Sequence, residues 1–400
     1  MQLKRCAHLA VALDNEPRFE FGALLSGGDG MDRRPRWLAM APHLPSPVPV
    51  DLAMLAVVEA MPDDAWAARV TLEHRFGADL VDRVVASGLL LDDGPASEAA
   101  RGIDQTSRDV AWWPPALMAQ SQGGWSGVDI EQRGEAGQRP SAVELVKTFG
   151  SAPDPEFRRS PHTLAVPLAS PRNTEFDALL LARRTCRNFE AEATLGAEEF
   201  ATMMRRVWGA VGTHQLAPGA VVVKKTSPAG GGMHAIEAYV LVQRVQGLAP
   251  GFYHYLPMRH ALEPLQSLST DEAADWAHRF VAGQAWFRDV PAMVVMVARF
   301  DRMFWKYRRH AKAWRVVHLD AGHLSQTMYL SATELGLGCF VTAAINDREV
   351  GEALGLPLLR EGAIALVGFG PRSEQKTYRE LDVLDPVPAQ AEGPARSSRR

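Results

Sequence analysis

Residues 224–245 read KKTSPAGGGMHAIEAYVLVQRV. Two lysines lead into Ser227, Pro228 and Ala229, three glycines follow at 230–232, and an apolar, strand-like segment comes next. Glycine loses more backbone freedom on folding than any other residue, so three in a row need a reason. A flexible turn is one reason. A backbone that must come very close to a flat ligand is the other, and the surrounding chain discriminates between them.

Downstream and upstream of the turn, residues 151–385 form the main body. FDALLLARRTCRNF (176–189) has the pattern of a helix ending in an arginine-rich turn. AIEAYVLVQRV and VPAMVVMVARF are strand-like, the second apolar enough to require burial. VVHLDAGHLSQTMYLSATELGLG predicts a long helix with Ala321, Gly322 and Ser325 as small positions. CFVTAAI predicts a strand, and Asn346 with Glu349 predicts a capping box opening the next helix. GAIALVGFGPR predicts a last strand leaving through Gly-Pro-Arg at Arg372. The order is mixed α and β without a regular βαβ repeat. No G-x-G-x-x-G follows a strand, so no dinucleotide fingerprint is present.

Residues 1–95 look like a separate small unit. MQLKRCAHLAVALDNEPRF reaches Asp14 and Glu16 too soon for a signal peptide and reads as a first strand. PVDLAMLAVVEAMP predicts a helix with Leu52, Leu55, Val58 and Met61 on one side. A second helix carrying Leu80, Val84 and Val85 stops at Gly88, ahead of a short strand at Leu89-Leu90-Leu91. Helix, helix, glycine, strand is a winged-helix-like order, without a dense basic recognition helix. Residues 96–150, with Trp112, Trp113 and Trp125, read as a linker or arm laid over another surface. PVPAQAEGPARSSRR (386–400) reads as a disordered tail.

Composition bounds the function. The 400-residue chain is 46% hydrophobic and 22% charged, with a formal net charge of −4. That balance argues against a nucleic-acid partner held by bulk charge. No stretch is apolar and long enough to span a membrane. The three cysteines, Cys6, Cys186 and Cys339, are far apart and form no C-x-x-C pair, so no zinc site or disulfide framework is signalled. A reducing cytoplasm is the simplest location.

Arg183, Arg184 and Arg187 fall within five residues. Guanidinium groups grip phosphate through paired hydrogen bonds, and Arg372 is a candidate of the same kind. ARRTCRNF resembles the R-R-[ST]-x-R-x-F signature of the nitroreductase superfamily. SPAGGGMHAIEAY, GFYHY and LDAGHLSQTMYLSATELGLG resemble its SagB-type branch, the flavin dehydrogenases of ribosomal-peptide modification. The resemblance covers roughly residues 150–372. It implies an α+β fold, a mixed sheet flanked by helices, with FMN as cofactor. It implies that Arg183, Arg184 and Arg187 hold the FMN phosphate and ribityl chain. Ser227, Pro228, Gly230 and Gly231 would lie against the flavin ring. It further implies a homodimer, a ribosomal precursor peptide as substrate, and other peptide-modifying enzymes as partners. The N-terminal unit is similar to small domains that capture leader sequences.

Azoline dehydrogenases of this branch carry an adjacent Lys-Tyr before the long helix, and this chain has Lys306 and Tyr307 there. Converting an azoline to an azole removes a proton from one ring carbon and a hydride from its neighbour, so the protein must supply a base and orientation. Neither side chain is deprotonated at neutral pH when unperturbed, and Arg308 and Arg309 are nearby cations that could lower a pKa. Adjacent residues on a regular helix do not face one another, so both reach one substrate only where the segment is irregular or the substrate lies between them. Dehydrogenation of a peptide Cα–Cβ bond, NAD(P)H-dependent nitro or quinone reduction, and a non-catalytic peptide-binding scaffold remain alternatives. Ser-Pro-Ala replaces the commoner Ser-Pro-Ser, and Lys224-Lys225-Thr226 precedes it where Arg and Pro are usual. These departures bear on the substrate more than on the cofactor. His318 and His323 are poorly spaced for a metal, and Cys186 is assigned no role.

Overall fold

The computed structural model describes residues 1–62, 64–135, 141–157, 159, 165–169 and 174–380. The tail read as disordered, 386–400, lies outside them. The expected α+β architecture is present. Its centre is a six-stranded sheet in the order Ala261–Ser267, Gly251–Leu256, Ile236–Val242, Ala292–Arg299, Glu361–Gly370, Gly338–Thr342. Every ladder between these strands is antiparallel, so within one chain the sheet is not the mixed one expected. Each strand returns beside its neighbour in the opposite direction, through a hairpin or a longer connection containing a helix.

Strand Ala292–Arg299 explains its own sequence. It is flanked on both edges and covered on both faces, so a continuous apolar run is needed where a half-exposed strand would alternate. Val294, Met296 and Ala298 join Val240 and Val242 in one core, while Met293, Val295 and Val297 join Leu241 and Phe252 in the other. The long helix Ala313–Glu334 lies in the first core through Val317, Ala321, Leu324 and Met328.

Up to Asp92 the described residues form two three-stranded sheets and four helices. Gln2–Arg5 is the middle strand of one sheet, between Ala67–Ala68 and Leu90–Asp92. Ala10–Phe19 and Met31–Met40 form a long hairpin that pairs with Val48–Val50. Gly88 ends the helix Ala78–Ala86 with φ +77 ahead of the short strand. Helix Leu52–Glu59 turns a different face inward from the one its spacing suggested. Met54, Val57 and Val58 are buried and Leu52 is 70% exposed. LAMLAVV is apolar nearly all round, so periodicity cannot choose a face. The chain chooses it by capping, because Asp51 accepts from the Met54 N–H and bonds Arg83.

Residues 96–135 are largely helical, as Glu98–Asp109, Pro114–Gln122 and Ile130–Glu135. Trp112 is buried against Phe300 and Phe304, and its indole N–H donates to the Leu359 carbonyl at 3.0 Å. The capping box expected of Asn346 and Glu349 does not form. Asn346 instead exchanges two hydrogen bonds with the Val128 backbone, and Glu349 takes the Gly127 N–H and Arg279. The local pattern was right for a cap, but a segment more than two hundred residues away claims both side chains.

Candidate active site

The glycine turn is explained by the chain's own side chains. Gly231 and Gly232 have φ of +60 and +70, where glycine is favoured. A Cβ on Gly230 would lie 2.1 Å from Val316 Cγ1, and one on Gly231 would lie 2.2 Å from the Tyr307 hydroxyl and 2.7 Å from Lys306 Nζ. Val316, Lys306 and Tyr307 thus approach the glycine turn closely.

Lys306 and Tyr307 both reach the turn because the helix stops between them. Phe300–Lys306 is helical, and Tyr307 leaves the helix with φ −111 and ψ 53. Lys306 donates to the Gly231 carbonyl at 3.0 Å, and its Nζ lies 5.5 Å from the Tyr307 ring centroid. The irregularity required for adjacent residues to converge is present. Arg308 and Arg309 are exposed, and the Arg309 N–H donates to the Ala111 carbonyl, tying this loop to the arm that carries Trp112.

The turn is anchored from the long helix. Ser227 is buried and its hydroxyl lies 2.6 Å from that of Thr327. The Gly230 N–H donates to both Asp320 oxygens, at 3.0 and 3.3 Å. Arg302 reaches the other side, donating to the Met233 carbonyl at 2.6 Å. His234 follows with φ +43. Burial, then the charges of Lys225 and Arg302, hold its imidazole down to about 4, so it is neutral at pH 7. Lys225 is buried and its pKa is pushed down by burial, against the opposing pull of Glu237. Asp320, Val316, Thr327, Lys225 and Arg302 were not singled out from sequence. Asp320 carried one usable signal, a carboxylate within a stripe of positions otherwise apolar or small.

The arginine turn begins where helix Glu175–Ala182 ends, with Arg183 already extended. Arg183 lies over the Tyr329 ring at 5.3 Å, and the Tyr329 hydroxyl is 2.9 Å from Thr185. Arg184 is exposed. Arg183 and Arg187 have no ion pair among the described residues, which leaves two guanidinium groups available to an anion. Arg372 joins the turn differently. It donates to Glu380 at 2.7 Å, and the same carboxylate accepts from the Arg187 and Asn188 N–H groups. Burial pushes the Glu380 carboxyl up, but those donors and the Arg372 charge outweigh it and hold it below the usual carboxylate range. Cys186 is buried, its thiol pushed up to about 11, so it is no thiolate at neutral pH.

The long helix joins the two halves of the site. Val316 and Asp320 meet the glycine turn, Thr327 meets Ser227, and Tyr329 meets the arginine turn. Among the described residues, no His, Cys, Asp and Glu cluster could hold a metal. No described helix is long and apolar enough to cross a membrane.

Comparison with known proteins finds similar sequences and folds. MJ1384 of Methanocaldococcus jannaschii, described as a nitroreductase, is 26% identical over 212 residues, 53% of this chain and 98% of that one. The trifolitoxin-processing protein TfxB of Rhizobium leguminosarum bv. trifolii is 29% identical over 144 residues, 36% of this chain and 38% of its own. A chain of the E. coli microcin synthetase McbBCD complex, solved with truncated pro-MccB17 bound, shares the fold with a TM-score of 0.50 and 19% identity. That likeness covers 68% of this chain and 97% of the other. Residues 180–371, which hold the glycine turn, the Lys-Tyr pair and the arginine turn, match the Nitroreductase family and form a nitroreductase-family domain.

Proposed function

We propose that this protein is an FMN-dependent dehydrogenase that matures a ribosomally made peptide by oxidising an azoline ring to an azole. The observation that carries the reading is the convergence of Lys306 and Tyr307 on Gly231, in a domain of this family. The similarity to a trifolitoxin-processing protein supports a peptide substrate.

The residues present fit FMN. Arg183 and Arg187, without an ion pair among the described residues, offer guanidinium groups for its phosphate, with Arg184 beside them, while Arg372 shapes the same turn through Glu380. Ser227, Pro228, Gly230 and Gly231 present a compact edge to its ring system. FMN accepts a hydride when bound. One of the pair, Lys306 or Tyr307 in its deprotonated form, would take up the one proton that leaves the neighbouring carbon while the other orients the substrate, and the turn fixes where both stand. A dehydrogenation of this kind removes one proton and one hydride from the substrate and leaves the peptide lighter by two hydrogens.

The N-terminal unit, residues 1–95, contributes to holding the peptide, and other peptide-modifying enzymes supply the azoline. The active form is a homodimer. The exposed apolar helices on both sides of residues 158–173, Ala142–Phe149 and Glu175–Ala182, support that assembly.

The test is the mass of the precursor peptide after co-expression with its neighbouring modification enzymes. Wild type is expected to remove hydrogen pairs, and Lys306→Ala/Tyr307→Phe to leave them. Fragment masses then separate a ring oxidation from a Cα–Cβ alkene. An unchanged peptide from flavin-loaded, reducible wild type overturns the proposal. Fast NADPH-driven quinone reduction would then identify a small-molecule reductase.

A further inference from the structure

The acid–base pair needs a fixed partner surface, and the structure shows what fixes it. Gly231 is the point on which Lys306 and Tyr307 converge, yet three successive glycines have no side chains with which to hold themselves. Asp320 is 3% exposed, has no Lys or Arg ion pair among the described residues, and faces the turn from the long helix. His323 is the nearest cation-forming group, with Nδ1 4.0 Å from its carboxylate. The one polar bond the described residues give this carboxylate is the forked one from the Gly230 N–H. Taking a carboxylate out of water for a single backbone donor is costly, and burial pushes its pKa up accordingly.

We propose that Asp320 is the positioning residue of the Lys306–Tyr307 pair. This rests on the dehydrogenase reading for the role of the pair, though not for its geometry. Asp320 pins the Gly230 N–H, which fixes the plane of the Ala229–Gly230 peptide at the entry to the glycine run. The Gly231 carbonyl that accepts from Lys306 lies two peptide planes further on, so anchoring the start of the run limits where that carbonyl and the turn beside the Tyr307 hydroxyl can stand. Val316, one turn earlier on the same helix, closes the remaining freedom by filling the space beside Gly230. At Gly230 the helix therefore holds the turn by this forked hydrogen bond and one steric stop, in addition to the Ser227–Thr327 contact. Asp320 touches neither Lys306 nor Tyr307 in any described contact and acts through the turn alone.

Two substitutions separate this from a packing role, one isosteric and one apolar and larger. Asp320→Asn keeps an oxygen that can accept the Gly230 N–H, whereas Asp320→Leu removes it without opening a cavity. The first readout is trace acetylation of the flavin-loaded protein, with Lys306 read by peptide mass and the buried Lys225 as an unfolding marker. We expect Lys306 to react about threefold faster in Asp320→Leu and at the wild-type rate in Asp320→Asn, with Lys225 silent in both. The second readout is peptide dehydrogenation, where Asp320→Leu lowers kcat about tenfold with KM little changed and Asp320→Asn restores most of it. Asp320→Ala replaces the leucine variant if Lys225 labels. Unchanged Lys306 reactivity in the variant lacking the acceptor overturns the proposal, whatever happens to turnover. So does an asparagine variant that behaves like leucine. If wild type dehydrogenates no peptide, the functional reading fails by itself and the Lys306 labelling still decides the role of Asp320.

Discussion

The side-chain nitrogen of Lys306 donates to the carbonyl of Gly231 at 3.0 Å, at a residue whose missing Cβ would stand 2.2 Å from the hydroxyl of Tyr307. One atom position thus lies between the two side chains proposed to handle the proton. Gly231→Ala fills that position and must displace the pair, in addition to the cost of a side chain at φ +60, about 1–2 kcal/mol. Gly232→Ala has a similar φ, +70, but its Cβ meets only Val222 at 3.6 Å. Both variants should lose comparable stability by urea midpoint, while Gly231→Ala loses peptide turnover by about tenfold more than Gly232→Ala. Equal losses of turnover would show that backbone strain alone matters.

The Gly230 position offers a rescue. Its added Cβ would meet one methyl of Val316 at 2.1 Å, and nothing else closer than that same side chain. Gly230→Ala alone should cost about 2 kcal/mol through overpacking. Val316→Ala alone should cost about 1 kcal/mol or more through lost burial. Combined, the two should be more stable than their sum by at least about 1 kcal/mol, since the contact that hurts in one is absent in the other. Additive losses in denaturant titrations would mean that the turn moves away from the long helix instead of being held by it.

The three motifs of the candidate site were legible because each is local. The arginine turn and the serine-proline-glycine turn are contiguous, and Lys306 and Tyr307 are adjacent. Their partners were not legible for the opposite reason. Asp320 matters because of which way the long helix faces, and Glu380 because the chain after Arg372 folds back over Asn188. The expected capping box at Asn346 failed for the same reason, since Val128 and Gly127 take its members. The helix at Leu52 had too many apolar residues for spacing to pick its inner face, and Asp51 and Arg83 settled the rotation instead.

Arg372 should behave as a structural cation. Arg372→Ala leaves the Glu380 side chain, 1% exposed, without its counter-charge, and breaking such a buried pair costs about 3 kcal/mol. Arg372→Ala/Glu380→Gln should recover part of that loss, which double-mutant analysis of urea midpoints would read. Acid should attack the same pair. The Glu380 carboxyl is held below its ordinary range in the folded state, so its stabilisation is complete above that range. It is lost as pH falls through the folded value. His234 adds a separate, earlier slope. Its folded value of about 4 lies below the unfolded 6.5, so the unfolded chain takes up that proton first and stability declines from about pH 6.5 down to about 4. His234→Asn, which tolerates the positive φ, should flatten the upper slope and Glu380→Gln the lower one. Parallel pH–stability curves for wild type and both variants would refute both assignments.

Helices Ala142–Phe149 and Glu175–Ala182 pose a problem that a single chain does not solve. Each opens with a capping box, Ser141 with Glu144 and Thr174 with Asp177, yet neither has a buried residue. Val143 is 77% exposed, Phe149 79% and Leu181 85%. Helices of eight residues are marginal in water without tertiary packing, so caps alone do not maintain them. One flank of the long helix is open too, with Leu319 exposed and nothing within 4 Å of a Cβ on Gly322. A second copy of the chain would cover such faces, in keeping with the proposed homodimer. Sedimentation equilibrium should then give a dimer at micromolar concentration. Phe149→Ser and Leu181→Ser should each weaken it by about 2 kcal/mol, roughly 30-fold in dissociation constant, because each removes a large apolar side chain from the interface. A wild-type monomer at tens of micromolar, about the concentration of an ordinary preparation, would refute the dimer. A dimer indifferent to both substitutions would instead place the contact elsewhere, and would leave these two helices without a cover.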